Sequence, residues 1–256
     1  MENDTSFDTD LSFYGSEQKD ETQVNIALFV LRAGPRLSLN ISDTSIAGMF
    51  LTRIAIRPYF VTDWMALHSD RYYQSFGGGV LLSSGLGSRL SADLDVKVID
   101  RNYNDNSGSP NASTQNGVRS GGLLTFRYAL GKRTQLTLGG EVERENTDLA
   151  SSANWEYDVS FGVQRGINPP FQITRGPWYL NLTGAYVLTD YDEPDAIIDP
   201  GVTRQDREKR ISLQVSVPLI DRLTLVTTGQ YRDIGSNLPN FEYDDTAITV
   251  GALWIF

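Results

Sequence analysis

The sequence predicts an all-β fold, an up-and-down antiparallel barrel of twelve strands, and three observations predict it. From residue 70 onward, segments of roughly 10 to 15 residues alternate apolar and polar side chains, the period of a strand with two unlike faces. The connections between these segments alternate short and long, as hairpins stacked side by side require. One face of the segments carries large aliphatic residues with aromatics near the ends, whereas the other carries Gly, Ser, Thr and charges of both signs.

The third observation fixes which way the sheet curls. A soluble sandwich or lipocalin-like barrel turns its apolar side chains inward and keeps a polar exterior. Here the small and charged face suits a narrow lumen and the aliphatic face suits lipid, so the expected fold is a transmembrane barrel of the bacterial outer membrane. No apolar run exceeds Ile26 to Leu31, far short of the ~20 residues that a membrane-spanning helix needs.

The expected strands are 5–16, 23–39, 46–66, 71–85, 89–103, 118–130, 133–147, 154–167, 176–192, 208–219, 222–236 and 242–256. In the second, the apolar phase of Val24, Ile26, Leu28 and Val30 gives way to Leu37, Leu39 and Ile41 across Ala33-Gly34-Pro35, which reads as a bulge. Turns there and at Arg57-Pro58 would give fourteen strands instead. Twelve is favoured because Ile46, Phe50, Ile54, Ile56, Phe60 and Trp64 keep one phase throughout the third segment. Later segments alternate plainly, as Trp155, Tyr157, Val159, Phe161 and Val163 do against Glu156, Asp158, Ser160 and Gln164. In the last, Ile248, Val250, Ala252, Trp254 and Phe256 share a face.

Leu86-Gly87-Ser88, Gly131-Lys132 and Ile220-Asp221 read as tight turns, whereas 104–117 and 193–207 are long and polar. With short turns assigned to the periplasm, Trp64 and Trp155 fall at outer strand ends. Trp178 and Trp254, with Phe256, fall at periplasmic ends, as boundary aromatics do.

Composition narrows the function. With no Cys and one His among 256 residues, disulfide, thiol and metal chemistry are not expected, and no cofactor is called for. A net charge of −10 argues against nucleic acid as a partner. No signal peptide precedes Glu2-Asn3-Asp4, so the chain reads as a single barrel domain over residues 1–256, mature or excised from a larger protein.

The expected lumen lining is Arg53, Arg57, Asp63, Asp93, Asp95, Lys97, Arg101, Arg127, Glu141, Glu143, Glu156 and Asp158. Charges of both signs on neighbouring strands brace the wall by cross-strand pairing and can also filter solutes by sign and size. His68 is the one imidazole available as a general base. It sits in His68-Ser69-Asp70 with no second catalytic element, so the chain is expected not to be an enzyme. The loop from Asp192 to Asp199 is acidic but lacks the oxygen spacing of a calcium loop. Arg204, Arg207, Lys209 and Arg210 form a basic cluster at the expected outer rim, suited to lipopolysaccharide phosphates or to the acidic loop beside it.

Near the carboxyl end, Tyr231-Arg232-Asp233, Ser236-Asn237-Leu238-Pro239-Asn240, Phe241-Glu242-Tyr243-Asp244 and Val250-Gly251-Ala252-Leu253-Trp254-Ile255-Phe256 form a recognisable string. It resembles the last hairpin of barrels that follow periplasmic tetratricopeptide-repeat domains, the surface lipoprotein assembly modifiers and polysaccharide-export proteins. The resemblance implies a periplasmic repeat domain as partner, and Phe256 looks like the signal read by the barrel-assembly machinery. The expected function is a channel that passes solute or secreted cargo, polysaccharide or lipoprotein. The alternatives are a closed barrel that anchors a partner, and an outer-membrane hydrolase.

Overall fold

The computed structural model describes residues 3–16, 25–46, 49–67, 70–170 and 176–254. Twelve strands follow one another in a single antiparallel sheet in chain order. They are β1 (Asn3–Ser16), β2 (Ile26–Ile46), β3 (Met49–Leu67), β4 (Asp70–Leu86), β5 (Leu90–Tyr103), β6 (Gly117–Gly131) and β7 (Thr134–Thr147), then β8 (Asn154–Ile167), β9 (Trp178–Tyr191), β10 (Gln205–Ile220), β11 (Leu223–Ser236) and β12 (Tyr243–Trp254). Short 3-10 turns at Ala112–Gln115, Ala150–Ser152 and Pro239–Phe241 lie in the longer connections. Gly87 takes φ 75° in the β4–β5 turn, a left-handed conformation that glycine adopts without a Cβ clash.

The side-chain alternation resolves as expected. Val96, Val98, Leu138, Val159, Phe161, Ile211 and Leu213 stand exposed on the outer surface, and with their neighbours they form an apolar belt far too continuous for water. Hydrocarbon is the solvent that such a belt fits. Trp64 and Trp155 are exposed on the same surface. Trp155 stacks on Tyr157 with ring centroids 6.3 Å apart. Trp178 opens β9 at the short-turn end. Trp254 ends the backbone of β12, its side chain lying outside the described residues, as does the whole of Phe256.

The bulge expected at Ala33-Gly34-Pro35 does not form. β2 pairs with β1 in unbroken register through Ala33↔Thr9, Gly34↔Asp8 and Pro35↔Phe7. Its apolar phase does not slip either, since Val30 is on the lumen face and packs against a small internal cluster of Tyr59, Val61 and Ile99. Two apolar sets on opposite faces of one strand had imitated a change of phase. The irregularity sits further along, between Asn40 and Thr44. β3 likewise runs through Arg57-Pro58 without turning, which rules out fourteen strands over this stretch.

Prolines 35 and 58 stand opposite each other. The β2–β3 ladder has no pairs between Ala33↔Phe60 and Leu37↔Ile56, because neither proline has an N–H to donate. Gly34 lets the two backbones approach there, since a Cβ on it would lie 2.8 Å from the Tyr59 Cα.

Candidate functional site in the barrel lumen

Register places the charged residues. Ser75↔Arg101, Gly79↔Lys97, Leu81↔Asp95 and Ser83↔Asp93 put the charged residues of β5 on the same face as Tyr59 and Asp63 of β3. Gly121↔Glu143 and Leu123↔Glu141 continue that face to β7, and Glu143↔Glu156 and Glu141↔Asp158 carry it to β8. All twelve residues expected in the lumen therefore share its face.

They do more than line it. Several join side chains on strands that are not neighbours. The Arg32 guanidinium on β2 lies 3.5 Å above the Tyr59 ring and its Nη2 is 2.5 Å from Asp95 Oδ2 on β5. The Tyr59 hydroxyl donates to the other Asp95 oxygen at 2.6 Å. Lys97 on β5 reaches Glu141 at 3.3 Å and Glu143 at 3.2 Å on β7, and Arg101 reaches Glu145 at 3.1 Å. Arg57 crosses from β3 to β1, where it meets Asp10 Oδ2 at 2.8 Å and the Asp8 carbonyl oxygen at 3.0 Å. Apart from the stacking of Arg32 on Tyr59, which joins neighbouring strands, each of these contacts is a chord across the curved wall.

Glycines on the intervening strands make room for the chords. Tyr59 reaches Asp95 over Gly79, whose added Cβ would lie 2.5 Å from the Tyr59 Cζ. Glu143 lies over Gly121, whose added Cβ would lie 2.5 Å from the Glu143 Cγ. Gly79→Val is expected to destabilise the barrel by about 1–3 kcal/mol through overpacking against the Tyr59 ring. Urea unfolding in lipid vesicles measures this, and Gly87→Ala, with open space around its Cβ, controls for backbone strain alone.

The partners missed from sequence are Arg32, Tyr59, Arg119, Glu145, Asp8 and Asp10. Arg119 pairs with Glu143, and Arg127 pairs with Asp93. Arg119 has the parity of Arg127 on β6, and Glu145 that of Glu141 and Glu143 on β7, so alternation alone marks both. Arg32 was hidden by the apparent phase change. By contrast, among the described residues Asp63, Glu156 and Asp158 stand on the lumen face without an ion pair. Arg53 donates to Ser38 Oγ at 3.2 Å.

The basic cluster at the rim divides. Arg204 turns inward between the rings of Phe241 and Tyr191, 3.5 and 4.6 Å from their centroids, and pairs with Asp206 at 2.5 Å. Arg210 pairs with Glu208 at 2.6 Å on the lumen side. Strand alternation turns Arg207 and Lys209 to the other face, so the four do not form one patch, and Lys209 lies 3.4 Å from Asp233. His68 falls outside the described residues.

In the acidic loop, Asp195 accepts the backbone N–H of Ile197 at 2.8 Å and Asp199 that of Gly201 at 2.9 Å. Among the described residues no group of acidic or imidazole side chains is arranged to hold a metal ion. Asp192 accepts both terminal nitrogens of Arg144, one at 2.6 Å to Oδ1 and the other at Oδ2. Those hydrogen bonds, and then the charge behind them, hold its carboxyl below the usual carboxylate range. The stability this pair adds is therefore present above the unfolded value of about 3.9 and is lost as pH falls through the lower folded value. For so exposed a pair it amounts to under ~1 kcal/mol. Carboxyl chemical shifts across an acid titration should show Asp192 taking up its proton late, and Arg144→Gln should bring it back toward the ordinary value.

No family model matches the chain, and no curated protein is significantly similar to it. Solved structures do align with it. One is OmpTdeltaL8, a loop L8 deletion mutant of OmpT, an outer membrane protein of Vibrio cholerae, at TM-score 0.52 and 9% identity over 98% of this chain and 99% of that one. Another is the beta domain of the Bordetella autotransporter BrkA, at TM-score 0.45 and 13% identity over 98% of both chains. The first likeness carries the fold. The chain has the architecture of an outer-membrane β-barrel, and its apolar outer belt with boundary tryptophans places it in the bacterial outer membrane.

Proposed function

We propose that the barrel is a non-enzymatic channel that favours cations. The observation that carries this reading is the asymmetry of its lumen. Strands β2 to β8 present a wall crowded with charged chords. Strands β9 to β12 present small side chains along most of the same space, among them Thr183, Ala185, Ser212, Thr228, Ala247 and Thr249, and gather their own charges, Asp206, Glu208, Arg210, Arg232 and Asp245, toward the long-loop end. Space therefore remains beside the small side chains, and the carboxylates Glu156 and Asp158 border it with no cation in ion-pair contact among the described residues, Arg210 and Arg119 acting on them only from farther off. Fixed charge that no direct ion pair holds draws the opposite ion into a low-dielectric passage.

The refolded protein should give discrete conductance steps in a planar bilayer, with a reversal potential in a salt gradient that reports cation preference. The double change Glu156→Gln with Asp158→Asn should lower that preference severalfold. A protein that inserts but never conducts overturns the channel reading. The chords favour a second reading, a closed barrel that anchors a partner, and an impermeable bilayer would support it. The likeness of the last hairpin to barrels behind repeat domains favours secreted polysaccharide or lipoprotein as cargo. It also favours a periplasmic repeat domain as partner, and assembly through Phe256. In that setting, Arg207 and Lys209 would meet lipopolysaccharide.

A further inference from the structure

Among the described residues the sheet has two unpaired edges. Every strand from β2 to β11 pairs on both sides, but among the described residues no ladder joins β1 to β12. The two edges instead face a cleft of about 1250 Å³, lined on one side by Leu11, Phe13 and Tyr14 and on the other by Ile248, Thr249 and Val250. The outward side chains there are the barest on the apolar belt. Leu11 is 65% exposed, Phe13 73%, Ile248 77% and Val250 65%, because a neighbouring strand flanks each on one side only.

A row of unpaired N–H and C=O groups is costly in hydrocarbon, and only a closed ladder removes it. An extended polypeptide is the ligand that meets such a row, since its own backbone supplies matching donors and acceptors at the strand repeat. Size agrees. At ~4.8 Å between strands, ~10 Å of sheet thickness and ~3.3 Å per residue, a strand occupies roughly 160 Å³ per residue. The cleft therefore holds about eight residues of one strand, close to the length of a membrane-crossing strand.

We infer that the β1–β12 seam is a strand-accepting site, which takes an extended segment of a second polypeptide as an additional strand. The flanking side chains state its chemistry. The occupant's outward residues continue the apolar row of Leu11, Phe13, Ile248 and Val250, and its inward residues are small or polar, to match Ser12, Ala247 and Thr249.

A peptide of the β12 sequence, Tyr243–Trp254, carries that alternation and serves as the probe. Versions with one cysteine at successive positions are mixed with the barrel variant Leu11→Cys in lipid vesicles under mild oxidation. Cross-linking should rise and fall with a period of two along the peptide. Leu138→Cys, on a fully paired strand, should give little, and so should a peptide of the same composition with its alternation scrambled. Equal yields at positions 11 and 138, or no periodicity, overturn the proposal, since the peptide then merely partitions into lipid. Double variants that join Leu11→Cys to a cysteine at position 246, 248 or 250 test direct closure. Rapid, complete internal disulfide formation that the peptide does not slow also overturns it, because β1 and β12 are then zipped together.

Discussion

Glu143→Ala should lower the unfolding free energy by about 3 kcal/mol or more, the largest effect expected from any single lumen charge. Glu143 is only 3% exposed and holds two cations, Lys97 at 3.2 Å and Arg119. Its removal strands Arg119 and leaves Lys97 with Glu141 alone. The cost is mainly that of partly buried positive charge left without a counter-ion. Lys97→Met should cost less, because Glu143 keeps Arg119 and the aliphatic stem of the lysine is retained, so that Glu141 alone loses its cation. Urea titrations of the two variants in lipid vesicles check both values. Similar losses would show that the two cations are not arranged unequally about one carboxylate.

Asp95→Ala should open the lumen. Asp95 anchors the chord in which Arg32 lies over Tyr59 and the Tyr59 hydroxyl donates to the carboxylate. Without it the guanidinium keeps only the ring, and both side chains can fold back to the wall. Unitary conductance should rise severalfold, and cation preference should fall, because a negative charge is lost while Arg32 stays. Stability should drop by about 1.5–3 kcal/mol, the range for hydrogen bonds to charged groups. Asp93→Ala is the control, since its partner Arg127 pairs with it on the neighbouring strand and spans no chord. Unchanged conductance in Asp95→Ala would place the narrowest point elsewhere.

Most of this architecture was legible in the residues. Alternation located all twelve strands, because a lipid-facing residue and a lumen-facing one differ so much in chemistry that each strand announces its period. Strand ends were less legible. β10 begins at Gln205 where 208 was expected, since Gln205, Asp206 and Arg207 read as loop until their pairing with β9 and β11 is seen. The lumen face was readable wherever charges kept one parity. It failed on β2, where Val30 and Leu37 are both apolar but face opposite ways. Periodicity records only apolar against polar, so an internal apolar cluster looks like a slip. The chords were not legible at all. Nothing in the spacing of Arg32, Tyr59 and Asp95 says that they meet, because their meeting depends on wall curvature and on a glycine between them.

The two prolines that face each other on β2 and β3 have a mechanical consequence. Where rungs are missing, a sheet resists bending least, so within the paired wall, away from the β1–β12 seam, there is a built-in crease between Ala33 and Leu37. When lateral pressure changes or the bilayer thins, the cross-section should flatten about that line, and Arg57 and Tyr59 beside it would carry the deformation to the charged interior.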